Sequence, residues 1–481
     1  MPRVNTASVR EEIAHVEEEL DRLSAAGRVS DESRVLFNTL LMIVNLLVSA
    51  FLEKTTGKTS QNSSKPSSQT DRDASATSAR TQGKGPAEHE TSFANSRTVE
   101  SHTVADVNRC SHCGDNLRSV TIDDHERRTR IDIVFETRVE HVDAQIKTCP
   151  GCQTRNKGVF PNDLSGPVQY GLGVKATVLN LLITQMVSLN RVQKLLKTLI
   201  GRAISEATLL KYVLQLHQAL EQWEQEAIDT LLTSPVMHVD ETSLRLDKKK
   251  HWVHVCSAGD ITLKRLHAKR GAEAVDAINI IARYGGIIVH DCWATYFKYP
   301  ACNNALCGSH LLRELEFVIN SNGYAWARHL KRLLQRTCAT VSARDHKTLS
   351  EAEYAKLQKR YRTILTRGIA ELPARPQRPS GRRGRLAQSD AQNLWDRLKA
   401  HETAILLFAR RAEVPFTNNR AERDLRMGKV KQKVSGCFRR EEYAAAYCRI
   451  SSYLQTMARK GINPLVAIQL ALAGNTSATT G

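Results

Sequence analysis

Past Pro235 the hydrophobic period of the chain changes. Three β-rich runs follow closely, "PVMHVDETSLRL", "HWVHVCSAG" and "ITLKRLHA", with "LDKKKH" as a polar hairpin connection between the first two. "GAEAVDAINIIARYG" reads as a helix, and "GGIIVHDCW" as a fourth, apolar strand that ends on a polar residue. Strands, a crossover helix and a further buried strand specify a mixed α/β sheet. The flanks are helical in pattern, from Gly171 to Leu232 before the sheet and from about Asn320 to Ala412 after it. The second flank is interrupted by "LPARPQRPSGRRGR", which cannot be regular helix.

Two acids stand out on this sheet. Asp240, in "VMHVDET", falls on the first strand among apolar neighbours, where an acid is costly unless paired or bound to metal. Asp291 follows "GIIVH" at the end of the fourth strand, where open α/β sheets gather ligand groups. Each alone also fits a strand-end cap or a salt-bridge partner. A third acid, Glu422, lies in "FTNNRAERDLRMGKVKQKVSGCFR", which has seven Lys or Arg and only two acids. Asn418 and Asn419 can cap a helix there, with Glu422, Leu425, Arg426 and Lys429 on one face. A Glu422–Arg426 surface pair explains the stretch in isolation, at about 0.3–0.5 kcal/mol. Hard Mg²⁺ also takes such oxygen ligands, and two ions held by three or four carboxylates clamp the oxygens of phosphoryl transfer. The surrounding bases then have a purpose beside DNA phosphates.

The chain has 481 residues, 41% hydrophobic and 25% charged, which allows two to four domains with real cores. Its net charge of +19 favours a polyanionic partner, nucleic acid or an anionic membrane surface. The start is polar and acid-rich rather than a signal peptide, so the expected compartment is reducing and the eleven cysteines are read first for metal ligation. Cys110-Ser-His-Cys113 and Cys149-Pro-Gly-Cys152 are two C-x2-C knuckles, which together supply the four thiolates of a tetrahedral zinc. The 35 residues between them leave room for a returning strand or hairpin, and disulfides are the alternative.

Near the N-terminus, Val9, Ile13, Val16, Leu20 and Leu23 form an a/d stripe. "VLFNTLLMIVNLLVSAFL" approaches the length of a membrane span but carries Asn38, Thr39, Asn45 and Ser49. The two segments together read as an oligomerisation or helix-packing unit, with a membrane anchor as the competing reading. From Thr55 to Val107 the polar composition reads as a linker. In "LNRVQKLLKTLIGRAISEATLLKYVLQL", Gly201 breaks one helix and Ser205 caps the next, which fits a helix-turn-helix or an ordinary antiparallel pair.

The motifs "HVDETSLRL", "HDCWATYFKY", "CGSHLLREL" and "VPFTNNRAERDLRMGKVKQKVSGCFR" resemble those of the bacterial insertion-sequence-66 transposases. The knuckles, the "NSSKPSSQ" linker and the zipper-like start resemble that family's remaining regions in the same order; the more apolar helix at residues 35–52 departs from its usual compact start. The resemblance implies a DDE transposase with an RNase H-like α/β core, an all-helical insertion, a small zinc ribbon and N-terminal helices. It implies Asp240, Asp291 and Glu422 as the catalytic acids holding two Mg²⁺ or Mn²⁺, and His310 as an auxiliary residue. Arg420, Arg423, Arg426, Lys429, Lys431 and Lys433 are the candidates for DNA backbone contacts, and Cys110, Cys113, Cys149 and Cys152 for structural zinc.

The expected organisation is a helical oligomerisation region (1–54), a linker (55–107), a zinc ribbon (108–160) and a helical DNA-binding region (161–232). The core follows in two segments (233–319 and 413–460), separated by the helical insertion (320–412), and a tail (461–481) ends the chain. The expected activity is cleavage at the ends of an insertion sequence and joining of the 3′-OH ends to target DNA, by two-metal-ion phosphoryl transfer. Expected partners are double-stranded DNA, a second copy of the chain and small accessory proteins, in a bacterial cytoplasm and without a membrane. Two rival readings are a non-enzymatic zinc-ribbon DNA-binding regulator, which leaves three acids on a sheet unexplained, and an RNase H-like nuclease that cuts without joining.

Overall fold

The computed structural model describes residues 6–56, 103–130, 136–374 and 388–476. Most of the polar stretch 55–107 and most of "LPARPQRPSGRRGR" lie outside the described residues. The chain forms two compact units, one from residues 1–86 with 225–429, the other from 87–224 with 430–481.

Helices α1 (Thr6–Ala25) and α2 (Asp31–Thr55) begin the first unit. They run antiparallel, with Arg34 on Asp21 at 3.0 Å and Asn45 on Glu17 at 3.2 Å. Ser30 caps α2 by accepting from the Ser33 N–H. By length and composition Asp31–Lys54 is apolar enough to cross a membrane, yet its last turn is engaged in protein. The Glu53 carboxylate is buried and accepts from the backbone N–H of Asp390 at 2.6 Å and of Ala391 at 3.1 Å. Those are unsatisfied donors at a helix start, so α2 serves as an N-terminal cap for a distant helix.

The second unit takes up next. Strands β1 (Ile146–Thr148) and β2 (Arg155–Lys157) pair antiparallel, with Lys147 opposite Asn156. Helix α3 (Leu172–Leu179) widens into a π turn over Asn180–Thr184, and α4 (Leu189–Ile200) and α5 (Glu206–Ala219) follow. Gly201, at φ 69, ends α4, and Ser205 opens α5 by accepting from the Thr208 N–H, as the sequence pattern requires. Helix α6 (Glu221–Thr233) carries the chain back to the first unit.

There the sheet is built. It uses β3 (Val236–Leu246), β4 (Lys249–Ala258) and β5 (Ile261–His267), then, after α7 (Ala272–Ile278), β6 (Ile287–His290) and β7 (Asn303–Leu306). The order is β5-β4-β3-β6-β7. The first three strands are antiparallel neighbours, whereas β6 runs parallel to β3 and β7 parallel to β6. Asp247 and Lys248, at φ 43 and 61, form the two-residue turn that matches strand twist. Sequence pattern does not reveal β7, because "NNAL" is too short to alternate and forms only by pairing with β6.

The helical remainder comprises α8 (Gly308–Asn322), α9 (Ala325–Ser342), α10 (Glu351–Gly368), α11 (Asp390–Ala400), α12 (Glu402–Leu406) and α13 (Asn419–Ser435). Trp326, Tyr361, Trp395 and Leu334 from these helices share one core with Val289 and Ala305 of the sheet. Finally α14 (Glu441–Arg459) and α15 (Pro464–Leu472) complete the second unit. Tyr453 meets Trp223 edge-on at 5.1 Å, and Arg449 pairs with the buried Glu224 at 2.7 Å. The segment expected as a tail thus contains a helix, started by Asn463 as cap and Pro464 in its first turn.

One close packing point links the fold to the acids. Gly308 donates its N–H to the Phe416 carbonyl at 2.8 Å, and a Cβ there would collide with the Phe416 ring. Alanine in a first helical turn normally helps a helix. Here Gly308→Ala is expected to destabilise by about 1–3 kcal/mol through overpacking, read as a lower midpoint of thermal unfolding. An unchanged or raised midpoint contradicts this packing.

Candidate active site

Asp240 stands on β3 just past the residues paired with β6, and Asp291 follows β6 directly. The two acids therefore stand on adjacent parallel strands, Asp240 within β3 and Asp291 just past the end of β6. Asp240 is half-buried and its Oδ1 accepts from the Glu241 N–H at 2.8 Å. Burial raises its pKa well above the usual carboxylate value, and Glu241, Asp291 and Glu422 add to the rise. Asp291 Oδ1 accepts from the Trp293 N–H at 3.1 Å, across Cys292 at φ 74. That left-handed backbone is strained for a cysteine. His290 supports it, with Nδ1 accepting from the Cys292 N–H at 3.2 Å and Nε2 directed at Asn304 Oδ1, 3.0 Å away.

Glu422 lies in the first turn of α13, and several contacts fix that helix over the sheet. The buried Asp424 accepts from Ser257 Oγ at 2.7 Å and Thr262 Oγ1 at 3.0 Å, on β4 and β5. Arg420 donates to the Ile261 carbonyl at 2.9 Å, and Lys429 Nζ to the Ser243 carbonyl at 2.8 Å. Asn418 is 1% exposed and holds three elements. Its Nδ2 donates to the Val239 carbonyl at 2.8 Å, its Oδ1 pairs with His238 Nδ1 at 2.9 Å, and its N–H donates to Cys307 Sγ at 3.1 Å.

These bonds turn Glu422 toward α8. Its Oε1 lies 3.5 Å from His310 Nδ1 and 3.9 Å from Arg313. The expected partner Arg426 is exposed, and among the described residues no ion pair joins it to Glu422. Anchoring of the α13 face through Asp424 and Lys429 decides this against the local i,i+4 contact. His310 is held below the ordinary imidazole value, by burial first and by Arg313 next. Asp240, Asp291 and Glu422 influence one another electrostatically, but their oxygens do not close to within 4.8 Å as a set; among the described residues Cys307, His310 and Glu422 do.

Sequence reasoning passed over Glu241. It points the opposite way from Asp240 along β3, is 1% exposed at its side chain, and binds Arg270 at 2.5 Å and Tyr296 Oη at 2.7 Å. Its signal was simply the second acid of "VDET". Asn418, Asp424, Cys307 and Arg313 were also passed over as site residues. Their partners lie far off in sequence, so no local spacing marks them.

The six basic candidates divide by environment. Arg423, Arg426 and Lys433 are exposed. Arg420 and Lys429 bond to main-chain carbonyls of the sheet, and Lys431 donates to the Leu182 carbonyl at 3.3 Å within the second unit. Burial depresses the pKa of both Lys429 and Lys431.

Each cysteine pair sits on the same kind of turn. The Cys110 N–H donates to the Asp115 carbonyl and the Cys149 N–H to the Thr154 carbonyl, both at 2.9 Å. Backbone N–H groups of Cys113 and His112 lower the Cys110 thiol to about 7, and Thr154 lowers that of Cys152. The four thiols are not gathered within 4.8 Å of one another.

Burial also lowers His290 and His254 to about 4 from 6.5. Both are neutral in the fold and charge more readily when unfolded. Their contribution to stability is full above pH 6.5 and is lost as pH falls through about 4. His290→Gln, which cannot titrate, is expected to flatten that portion of the acid-unfolding profile measured by circular dichroism. An unaltered slope contradicts a neutral His290.

The family described as Transposase IS66 family matches residues 167–446. No curated protein matches the chain. The matched span holds Asp240, Asp291, His310 and Glu422 with the whole sheet, and covers more than half of the sequence; the chain belongs to the IS66 family of transposases.

Proposed function

We propose that this transposase is of the DDE type, cutting DNA at the ends of its insertion sequence and joining the freed 3′-OH ends to target DNA. The observation that carries the reading is the electrostatic proximity of Asp240, Asp291 and Glu422, the first two on adjacent parallel strands and the third on a helix pinned across the same sheet. The strand order, three antiparallel neighbours followed by two parallel strands, supports an RNase H-like core.

The donor set fits hard divalent cations. All three groups are carboxylates, and Glu422 Oε1 is buried without a hydrogen-bond partner. Asp240, Asp291 and Glu422 would hold two Mg²⁺ or Mn²⁺, which supply Lewis acidity to the attacking and leaving oxygens. The chain's own residues set the geometry. Asn418 fixes Glu422 against β3, the Trp293 N–H orients Asp291, and Arg270 with Tyr296 keeps Glu241 turned away. Arg423, Arg426 and Lys433 are the cations of the stretch that face solvent and would meet phosphates. His310 and Arg313 orient Glu422 from α8.

The two knuckles offer the soft sulfur set of a structural zinc, and the lowered Cys110 and Cys152 thiols support thiolate ligation. The zinc module and helices α4 and α5 would read the element's terminal repeats, with α1 and α2 pairing two copies of the chain. Small accessory proteins of the same element fit as further partners.

Purified protein with a labelled element-end duplex and Mg²⁺ is expected to give both cleaved and joined products. Binding without cleavage favours a regulator, and cleavage without joining a nuclease. Asp240→Asn is expected to reduce cleavage by roughly 10²–10³-fold or more while DNA binding persists. Retained cleavage removes Asp240 from the site. The same variant has an opposite effect on stability. The folded-state pKa of Asp240 lies above 3.8, so its contribution is lost as pH rises from there through the folded value. At neutral pH the metal-free Asp240→Asn chain is expected to melt a few degrees higher than the parent, and Mg²⁺ to raise the parent alone.

A further inference from the structure

We propose that Cys307, His310 and Glu422 form a second metal site, selective for a soft divalent cation such as zinc, which inhibits the transposase by taking Glu422 away from catalysis. The inhibition, though not the binding, rests on the reading of Glu422 as a catalytic acid.

The site begins as a C-x2-H spacing, Cys307-Gly-Ser-His310. Cys307 is the N-cap of α8 and His310 lies three residues on, so both side chains fall on one face of the first turn. Glu422 arrives from α13, and one donor atom from each of the three residues lies within 4.8 Å of the others. Zinc bonds of about 2.0–2.3 Å place neighbouring ligand atoms roughly 3.3–3.8 Å apart, so modest side-chain rotation closes the set.

Two buried polar atoms face one another across the site. His310 Nδ1 and Glu422 Oε1 are both sealed from solvent and have no hydrogen-bond partner, although they face one another at 3.5 Å. A packing histidine would ordinarily satisfy its ring nitrogens. A cation between them satisfies both. Cys307 Sγ already accepts the Asn418 N–H at 3.1 Å, the kind of outer contact that supports a ligating thiolate. On binding, the thiol proton leaves to solvent and water completes four-coordination.

The ligand types decide the cation. Sulfur and imidazole favour zinc over magnesium, whereas carboxylates alone suit magnesium. Arg313, 3.9 Å from Glu422, opposes any cation, and the thiolate and carboxylate offset it. A soft metal held with Cys307 and His310 turns Glu422 toward α8 and draws on its charge, so soft-metal occupancy competes with the placement of Glu422 that catalysis needs.

Cadmium is the probe, since its bond to sulfur has an ultraviolet charge-transfer band. Full-length protein, stripped with chelator, is titrated with Cd²⁺ without DNA, and bound metal per chain is counted by mass spectrometry. Cys307→Ser and His310→Gln are each expected to hold one cadmium fewer than the parent, with knuckle sulfurs common to all. Equal counts in parent and variants overturn the site, and His310→Gln keeps the comparison open if Cys307→Ser fails to fold. In a second arm, zinc is added to the cleavage reaction at fixed Mg²⁺. The concentration that slows the parent by an order of magnitude is expected to leave Cys307→Ser at its own zinc-free rate. Equal inhibition of both overturns the inhibitory role. If the parent never cleaves, the catalytic reading fails, while the cadmium count still decides the site.

Discussion

Asn418 ties the strand of Asp240 and the helix of Glu422 to the head of α8. Its amide holds the Val239 carbonyl, one residue before Asp240, and its backbone N–H holds Cys307 at the head of α8. From the same residue α13 begins, so Glu422 sits one turn from a buried, fully engaged amide. Such a bond is worth about 0.5–1.5 kcal/mol when made, and breaking it strands buried polar groups at a larger cost. Its larger effect is geometric. Three acids far apart in the sequence converge only if their separate elements hold one spacing.

The charges around this point divide into held and unheld. Glu241 and Asp424 lie deep but are satisfied, by Arg270 and Tyr296 in one case and by Ser257 and Thr262 in the other. Glu422 Oε1 and His310 Nδ1 are equally hidden and unsatisfied. A buried polar group without a partner is expensive. Glu422 Oε1 instead meets His310 at 3.5 Å and Arg313 at 3.9 Å, and this contrast is what the proposed cation sites rest on.

The sheet was legible because its strands alternate and its hairpin carries turn residues. "LDKKKH" forms the expected hairpin connection, with Asp247 and Lys248 in left-handed backbone, and β3, β4 and β5 fall on the quoted runs. The helix boundaries at Gly201 and Ser205 were legible for the same local reason. What local pattern cannot show is pairing at a distance. β7 exists through β6, Glu53 on α2 caps α11 more than three hundred residues later, and Glu422 turns to α8 rather than to Arg426. The acids were assigned largely through motif resemblance; the residues that contact them carry no short-range mark.

An acid placed among so many bases is explained at the level of one helix. α13 has a face turned to the sheet, where Asp424, Arg420 and Lys429 attach, and exposed positions where Arg423, Arg426 and Lys433 remain in water. Helical period alone does not produce this division, since Lys429 lies three residues from Arg426 and four from Lys433; its long side chain is drawn to Ser243 of β3, where the other two stay in water. Attached bases hold the helix at a fixed height above β3, β4 and β5, and that height sets where Glu422 stands relative to Asp240 and Asp291. The exposed bases are then carried on a rigid support rather than on a loop. Under the proposed reading, a phosphate backbone drawn to Arg423 and Arg426 would be registered against the acids by the same bonds that keep the helix in place, so positioning of DNA and placement of Glu422 would have a common mechanical origin.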